Sequence, residues 1–320
     1  MAHFDVFNGD ADGLCALHQL RLATPREATL ITGAKRDVAL VARANAQPGD
    51  SMTVLDLSFD TNRVALEALL ARGVEVEYFD HHYAGDMPPC TNLRAYIDTT
   101  AKVCTSVLVD RYLGGRYRRW AIAAAWGDNL AETARALARG IGLSDAETEQ
   151  LRDLGESINY NAYGDSVADL LIEPAALYLA MKPYADPFEF IAAEPVVRRL
   201  SDCRGADIAR ARETAPLVAL RWGSVHVLPD EPWARRVRGV FANTLANDEP
   251  AGAHAVLSAR ADGGYAVSVR APLERPAGAD RLCRGFPGGN GRVGAAGIDC
   301  LAADQLPVFV DAFSKAFSNA

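Results

Sequence analysis

Asn8, Asp10 and Asp12 stand two apart in the stretch FNGDADGL, with Gly13 directly behind them. Oxygen donors at that spacing can grip a calcium ion, cap a helix, or form half of a hydrolytic metal centre. The calcium loop fails on two counts. Its twelfth position is Gln19 where a bidentate Glu is required, and the segment in front, HFDVF, is β-rich rather than helical. A cap, with Asp12 at the N-cap and Gly13 easing a strand-to-helix turn, accounts for the stretch taken alone. It does not stand alone. Asp56 ends the apolar run TVLD, Asp80, His81 and His82 end VEVEYFDHH, and Asp128 follows the break of an apolar helix at Gly127. Each has a plain reading as well, Asp56 and Asp128 as helix caps and the His pair as surface residues. In one crevice, however, these carboxylates would each cost several kcal/mol in desolvation and repulsion without cations. Oxygen ligands with one or two imidazoles suit Mn²⁺ or Mg²⁺ better than Zn²⁺.

The elements around these residues explain how they could meet. HFDVF, ATLITG, SMTVLDL and VEVEYFD read as strands; helical spacing follows the first from Gly13 to about Ala23 and the third from Thr61 to Arg72, and a short helix is predicted over 37–45. Strands alternating with helices predict an α/β fold with a mostly parallel, doubly wound sheet, in which ligands bind outside the carboxyl ends of the strands. Helices are predicted over 101–113, 117–126, 128–140 and 144–158, then a Pro-rich connector over 160–200 with short helices. From about residue 205 a second, smaller α/β domain is predicted. It comprises a strand at GSVHVLPD, a helix from Glu231, a hairpin around Asp262-Gly263-Gly264, a Gly-rich loop region over 278–300 and a final helix at LPVFVDAFSKAF. The expected domains are 1–190 and 205–320.

Bulk properties narrow the class. The chain has 320 residues, 49% hydrophobic, and a formal net charge of −8. Residues 201–320 carry 14 basic and 13 acidic side chains, leaving 19 and 28 for residues 1–200. The acidity thus lies with the first domain, and no basic stripe for long duplex nucleic acid is visible. An acidic site acting on phosphate needs divalent cations to reverse its local field. Only four residues are Lys: Lys35, Lys102, Lys182 and Lys315. With no apolar run of about 18 residues, no secretory signal and six scattered cysteines, a cytoplasmic protein with reduced thiols is expected.

The order D-x-D-G, strand-end Asp, D-H-H, then G-D resembles the DHH phosphoesterase superfamily, over residues 4 to about 130. The resemblance implies a centre of two Mn²⁺ or Mg²⁺ ions on Asp10, Asp12, Asp56, His81 and Asp128, with Asp56 bridging. It further implies that His82 contacts or protonates the reacting phosphate and that Asp80 orients its neighbours. Many relatives add a His or Asp ligand where this chain has Asn8, so Asn8 is a candidate ligand or water holder. Downstream, FPGGNGRVGAAGID resembles the signature of the DHH-associated domain of nanoRNases and RecJ-like exonucleases, with Arg292 in place of a His and Asn290 in place of a Gly. VSVRAP, with Ser268 and Arg270, resembles a substrate-contacting segment of the same domain. Gly289, Asn290 and Gly291 would then form a backbone cradle for phosphate, and Arg270 and Arg292 would offer bidentate donors. The Gly289, Gly291, Gly294 pattern is also G-x-G-x-x-G, but no strand runs into it as a dinucleotide fold requires.

The function implied is hydrolysis of a short single-stranded oligonucleotide or a linear dinucleotide, a nanoRNA or pGpG, to mononucleotides. A phosphatase of a small monoester, pyrophosphate or polyphosphate is the alternative within hydrolases, and a non-catalytic nucleotide sensor the alternative outside them. No membrane partner is expected, and a homodimer is admitted without being required.

Overall fold

Five short apolar segments build the first sheet in the computed structural model, which describes residues 1–87 and 89–318. In chain order the elements are β1 (His3–Phe7), α1 (Ala11–Ala23), β2 (Thr29–Ile31), β3 (Ser51–Leu55), α2 (Phe59–Ala71), β4 (Glu75–Asp80) and β5 (Leu93–Ile97). The strands are all parallel and lie in the order β2-β1-β3-β4-β5. This order reverses direction between β1 and β3, which makes the crevice beyond their carboxyl ends the switch point where α/β sheets bind ligands. Both faces are covered, as a parallel sheet requires. Val6, Val54, Val76 and Tyr78 pack beneath Phe59, Leu66 and Leu69 of α2 on one face, while Phe7, Leu55 and Phe79 join α1 on the other.

A helical layer backs α1. It comprises α3 (Thr105–Tyr112), α4 (Arg118–Gly127), α5 (Ala131–Gly140), α6 (Asp145–Ala162), α7 (Pro174–Met181), α8 (Pro187–Ala193) and α9 (Pro195–Arg212). Enclosed on every side, α1 buries all of Ala11 to Leu20. The predicted helix over 37–45 is only a 3₁₀ turn at Val41–Arg43, held by Asn62, whose side chain accepts from the Val41 N–H and donates to the Val38 carbonyl. The chain divides into two compact units, Met1–Asp202 and the residues from Cys203 onward.

The second unit contains β6 (Val218–Leu220), β7 (Gly223–Leu228), α10 (Pro232–Asp248), β8 (Ala253–Ala259), β9 (Tyr265–Arg270), α11 (Ala279–Arg284), β10 (Gly289–Arg292), β11 (Ala295–Leu301) and α12 (Leu306–Phe317). Its mixed sheet runs β10-β11-β9-β8-β7-β6. Phe309, Phe313 and Phe317 recur at helical spacing and seal one face over Ala255, Val267 and Val269. The segment expected to be a Gly-rich loop is therefore a helix and a hairpin. Its glycines serve close packing: a Cβ on Gly289 would overlap the Cys283 carbonyl, and one on Gly291 (φ 143°) would overlap Ala296. Among the described residues no helix is long and apolar enough to cross a membrane.

Candidate metal centre

Each strand of the sheet's centre hands its chemistry to the same end. β1 continues through Asn8, whose N–H donates to the Leu55 carbonyl (3.2 Å). Asp10 then caps α1, one carboxylate oxygen accepting from the N–H groups of Asp12 (3.0 Å) and Gly13 (3.1 Å). The cap is thus Asp10, not Asp12. Released from that duty, Asp12 lies across the start of α3, its two oxygens accepting from the N–H groups of Thr105 and Ser106, both at 2.7 Å. Those amides belong to the positive end of a helix, a natural seat for a carboxylate.

Asp56 does not cap α2; Ser58 does. Instead Asp56 adopts the left-handed region (φ 57°) just past β3, a strained conformation for a residue with a Cβ. Its N–H donates to the Phe79 carbonyl (3.0 Å) and its Oδ1 accepts from the Thr105 hydroxyl (3.3 Å). From the end of β4, His81 Nε2 reaches 3.5 Å from Asp56 Oδ1, 3.7 Å from Asp128 Oδ2 and 4.0 Å from Asp12 Oδ2. Beside it, His82 holds Asp80 through Nδ1 at 2.7 Å. Asp128 is the C-cap residue of α4, not the N-cap of the next helix. The structure therefore brings together all seven predicted acids and imidazoles.

Two residues that sequence reasoning missed complete the arrangement. Lys35 follows the end of β2; its ammonium hydrogen-bonds Asp10 Oδ2 and lies 3.5 Å from Asp128 Oδ1. Asn159, buried in α6, accepts from the Ala11 N–H (2.9 Å) and donates to the Gly127 carbonyl, so one side chain fixes both the Asp10–Asp12 turn and the end of α4. Gly127 and Gly155 allow this approach, since a Cβ on Gly155 would overlap the Ala123 carbonyl.

Electrostatically the crevice is overloaded with negative charge. Burial, then the charges of Asp10, Asp12 and Asp128, push the Asp56 carboxyl well above the usual carboxylate range. Burial and Asp128 raise Asp12 as well. Asp10 moves the other way: burial opposes its charge, but Lys35 and the Gly13 N–H outweigh it. For His82, burial disfavours the imidazolium, yet the Asp80 bond and nearby carboxylates raise its pKa overall. Asn8 Oδ1 and Asp80 Oδ2 are buried without a hydrogen-bond partner. Carboxylates that repel one another, unpartnered oxygens and converging imidazoles fit a hard divalent cation. Among the described residues, two donor groups are close enough to hold one: Asp12, His81 and Asp128, and Asp56, His81 and His82.

The second unit places its predicted residues along one sheet row. Arg270 pairs with Ala295, which pairs with Arg292, and Ser268 with Gly297, which pairs with Asn290. Arg270 is drawn onto α10, its Nε donating to Asn243 Oδ1 (2.6 Å) and another nitrogen to the Gly239 carbonyl (3.4 Å). Arg292 is exposed. An open depression of about 480 Å³ is lined by Gly288, Asn290, Gly291, Gly297 and Asp299, so a carboxylate stands beside the expected phosphate cradle.

No protein-family model and no curated protein sequence matches the chain. Solved structures do. The whole chain aligns with 90% of exonuclease RecJ bound to manganese, at a TM-score of 0.64 and 18% identity. It aligns with 52% of RecJ from Thermus thermophilus in complex with Mn²⁺, at 0.65 and 18%. It also covers all of PggH, a pGpG-specific phosphodiesterase from Vibrio cholerae, and is covered by it completely, at 0.58 and 13%. The chain has the DHH phosphoesterase fold. Within that fold, the D-H-H run lies at the carboxyl end of β4, beside the switch point.

Proposed function

We propose that the protein is a divalent-metal-dependent phosphodiesterase that cleaves short oligonucleotides or linear dinucleotides to mononucleotides. One observation carries this reading: Asp12, Asp56, His81 and Asp128 meet at the switch point of the parallel sheet with a protonatable His82–Asp80 pair beside them. The fold neighbours named exonuclease and pGpG-specific phosphodiesterase support it.

When bound, Mn²⁺ or Mg²⁺ would lower the pKa of a ligated water and polarise the scissile phosphate. Asp12, Asp56, His81 and Asp128 would hold it. Asp80, anchored at the end of β4, fixes His82 through Nδ1 and leaves Nε2 for the substrate. The Asp80 bond raises the His82 pKa against burial, which favours a proton on Nε2 that could pass to the leaving oxygen. In the second unit, Arg292 and Asn290 would bind the nucleotide, with Arg270 acting from its hydrogen bond to Asn243.

The test is a panel of 5′-phosphorylated dinucleotides, longer RNAs, 3′-phosphoadenosine phosphate and pyrophosphate, assayed with Mn²⁺. Mononucleotide release from dinucleotides is expected. Turnover confined to pyrophosphate or a monoester would instead identify a phosphatase, and binding without turnover a sensor. Arg292→Ala should raise KM or alter dinucleotide preference with metal binding unchanged.

A further inference from the structure

We propose that Lys35 is a built-in cation of this centre, filling its Asp10 side so that the protein binds one divalent ion where the family resemblance implies two. The inference rests on the metal reading of the site given above.

Asp10 is the first argument. One of its oxygens serves two backbone N–H groups of α1 and the other accepts from Lys35. In this arrangement the residue expected to be a metal ligand already has an ammonium as its cation. Asp10 also belongs to neither donor group able to hold a metal.

The second argument is His81. Both donor groups include this residue. Its Nε2 is the nitrogen within 4.0 Å of Asp12, Asp56 and Asp128. An imidazole nitrogen has one lone pair and serves one metal. The donors around it therefore close on a single ion. Asp128 divides its carboxylate accordingly, Oδ2 toward His81 and Oδ1 toward Lys35.

Third, the fold builds Lys35 in place. Its N–H donates to the Ala162 carbonyl (2.9 Å) at the end of α6. The preceding Gly33 carbonyl sits so close to Gly9 that a Cβ there would overlap it, which locks the Lys35 loop to the β1–α1 turn. Tyr163 faces the ammonium at 5.5 Å. Lys places a compact point charge at the position. An ammonium has three N–H donors. Two go to Asp10 and Asp128, and the third is left for a non-bridging phosphate oxygen. The fixed charge would then play the electrostatic part of a second metal ion without supplying an activated water.

Mn²⁺ titration of the full chain by calorimetry, with electron paramagnetic resonance of the loaded protein, tests this independently of activity. The wild type should bind one Mn²⁺ per chain and give the six-line spectrum of an isolated ion. Lys35→Gln should take up a second Mn²⁺ and show exchange coupling, and Lys35→Arg should remain at one. Two coupled ions in the wild type would overturn the inference and leave the metal centre standing. So would a folded Lys35→Gln protein limited to one. Undiminished Mn²⁺ binding by Asp56→Asn would bring down the metal centre itself, and the role of Lys35 with it.

Discussion

Toward the amino end of the parallel sheet, Asp5 in the middle of β1 is buried, and both its oxygens meet Arg21 while His3 Nε2 lies 3.2 Å away. At the carboxyl end Asp56 is equally buried, yet its nearest charged neighbours include Asp10, Asp12 and Asp128. Burial raises the pKa of both. Arg21 and His3 reverse the effect at Asp5, which ends below the usual carboxylate range, whereas further carboxylates compound it at Asp56. One end of the sheet thus contains charge that stabilises the fold, and the other contains charge that the fold tolerates. The difference separates acids that hold the fold from the acids proposed as metal ligands, using burial and partners alone.

Substitutions should divide along the same line. Asp56→Asn is expected to cut phosphodiester hydrolysis a thousandfold or more, about 4 kcal/mol in barrier. Its metal-free form should be at least as stable to urea as the wild type, because a repelled charge is gone. Near-normal turnover would break the functional half of the comparison. Asp5→Ala should do the reverse, costing about 3 kcal/mol of stability by stranding the half-buried Arg21. Its turnover per folded molecule with saturating metal should match the wild type; a stability unchanged within error would break the structural half.

The smallest effect concerns a histidine belonging to neither end. His18 is buried in α1, its Nε2 2.8 Å from the Tyr184 carbonyl, and burial lowers its pKa to about 4. Its unfolded value is about 6.5. Unfolding therefore takes up a proton below that pH, so the contribution of His18 is complete above about pH 6.5 and declines as pH falls toward 4. Between pH 7 and 5 the loss should be about 2 kcal/mol. Urea melts at the two pH values should show a smaller difference for His18→Gln; an equal difference would mean that other groups set the acid limit.

Legibility from sequence followed the same physics. Strand-end positions of Asp10, Asp12, Asp56, Asp80 and His81 were readable because apolar runs end abruptly in chemistry, and parallel sheets point those ends one way. β5 was not readable: Arg94 interrupts it, and its burial comes from contacts such as Tyr96 stacking on Phe79 at 4.6 Å between ring centres. Lys35 carries no motif. The available signal was its place just past the ATLITG strand, since the rule that gathered the aspartates applies equally to β2. Asn159 is harder still, a polar residue inside a run of buried ones from Ser157 to Ala162. Such a run marks a helix enclosed on all sides, where a polar side chain needs a distant partner. The glycines at 288–297 misled for the opposite reason, since glycine that permits backbone contact looks in sequence like glycine that permits a loop.

Asn159 ties together backbone groups 148 and 32 residues away along the chain. During synthesis, every acid and imidazole of the centre has left the ribosome once Asp128 emerges, yet the clamp that holds the two halves in register is still to come. If the centre binds metal as proposed, capture would therefore be a late event in the life of the nascent chain. A fragment ending after Asp128 would carry every proposed ligand and still lack the Asn159 clamp that positions them.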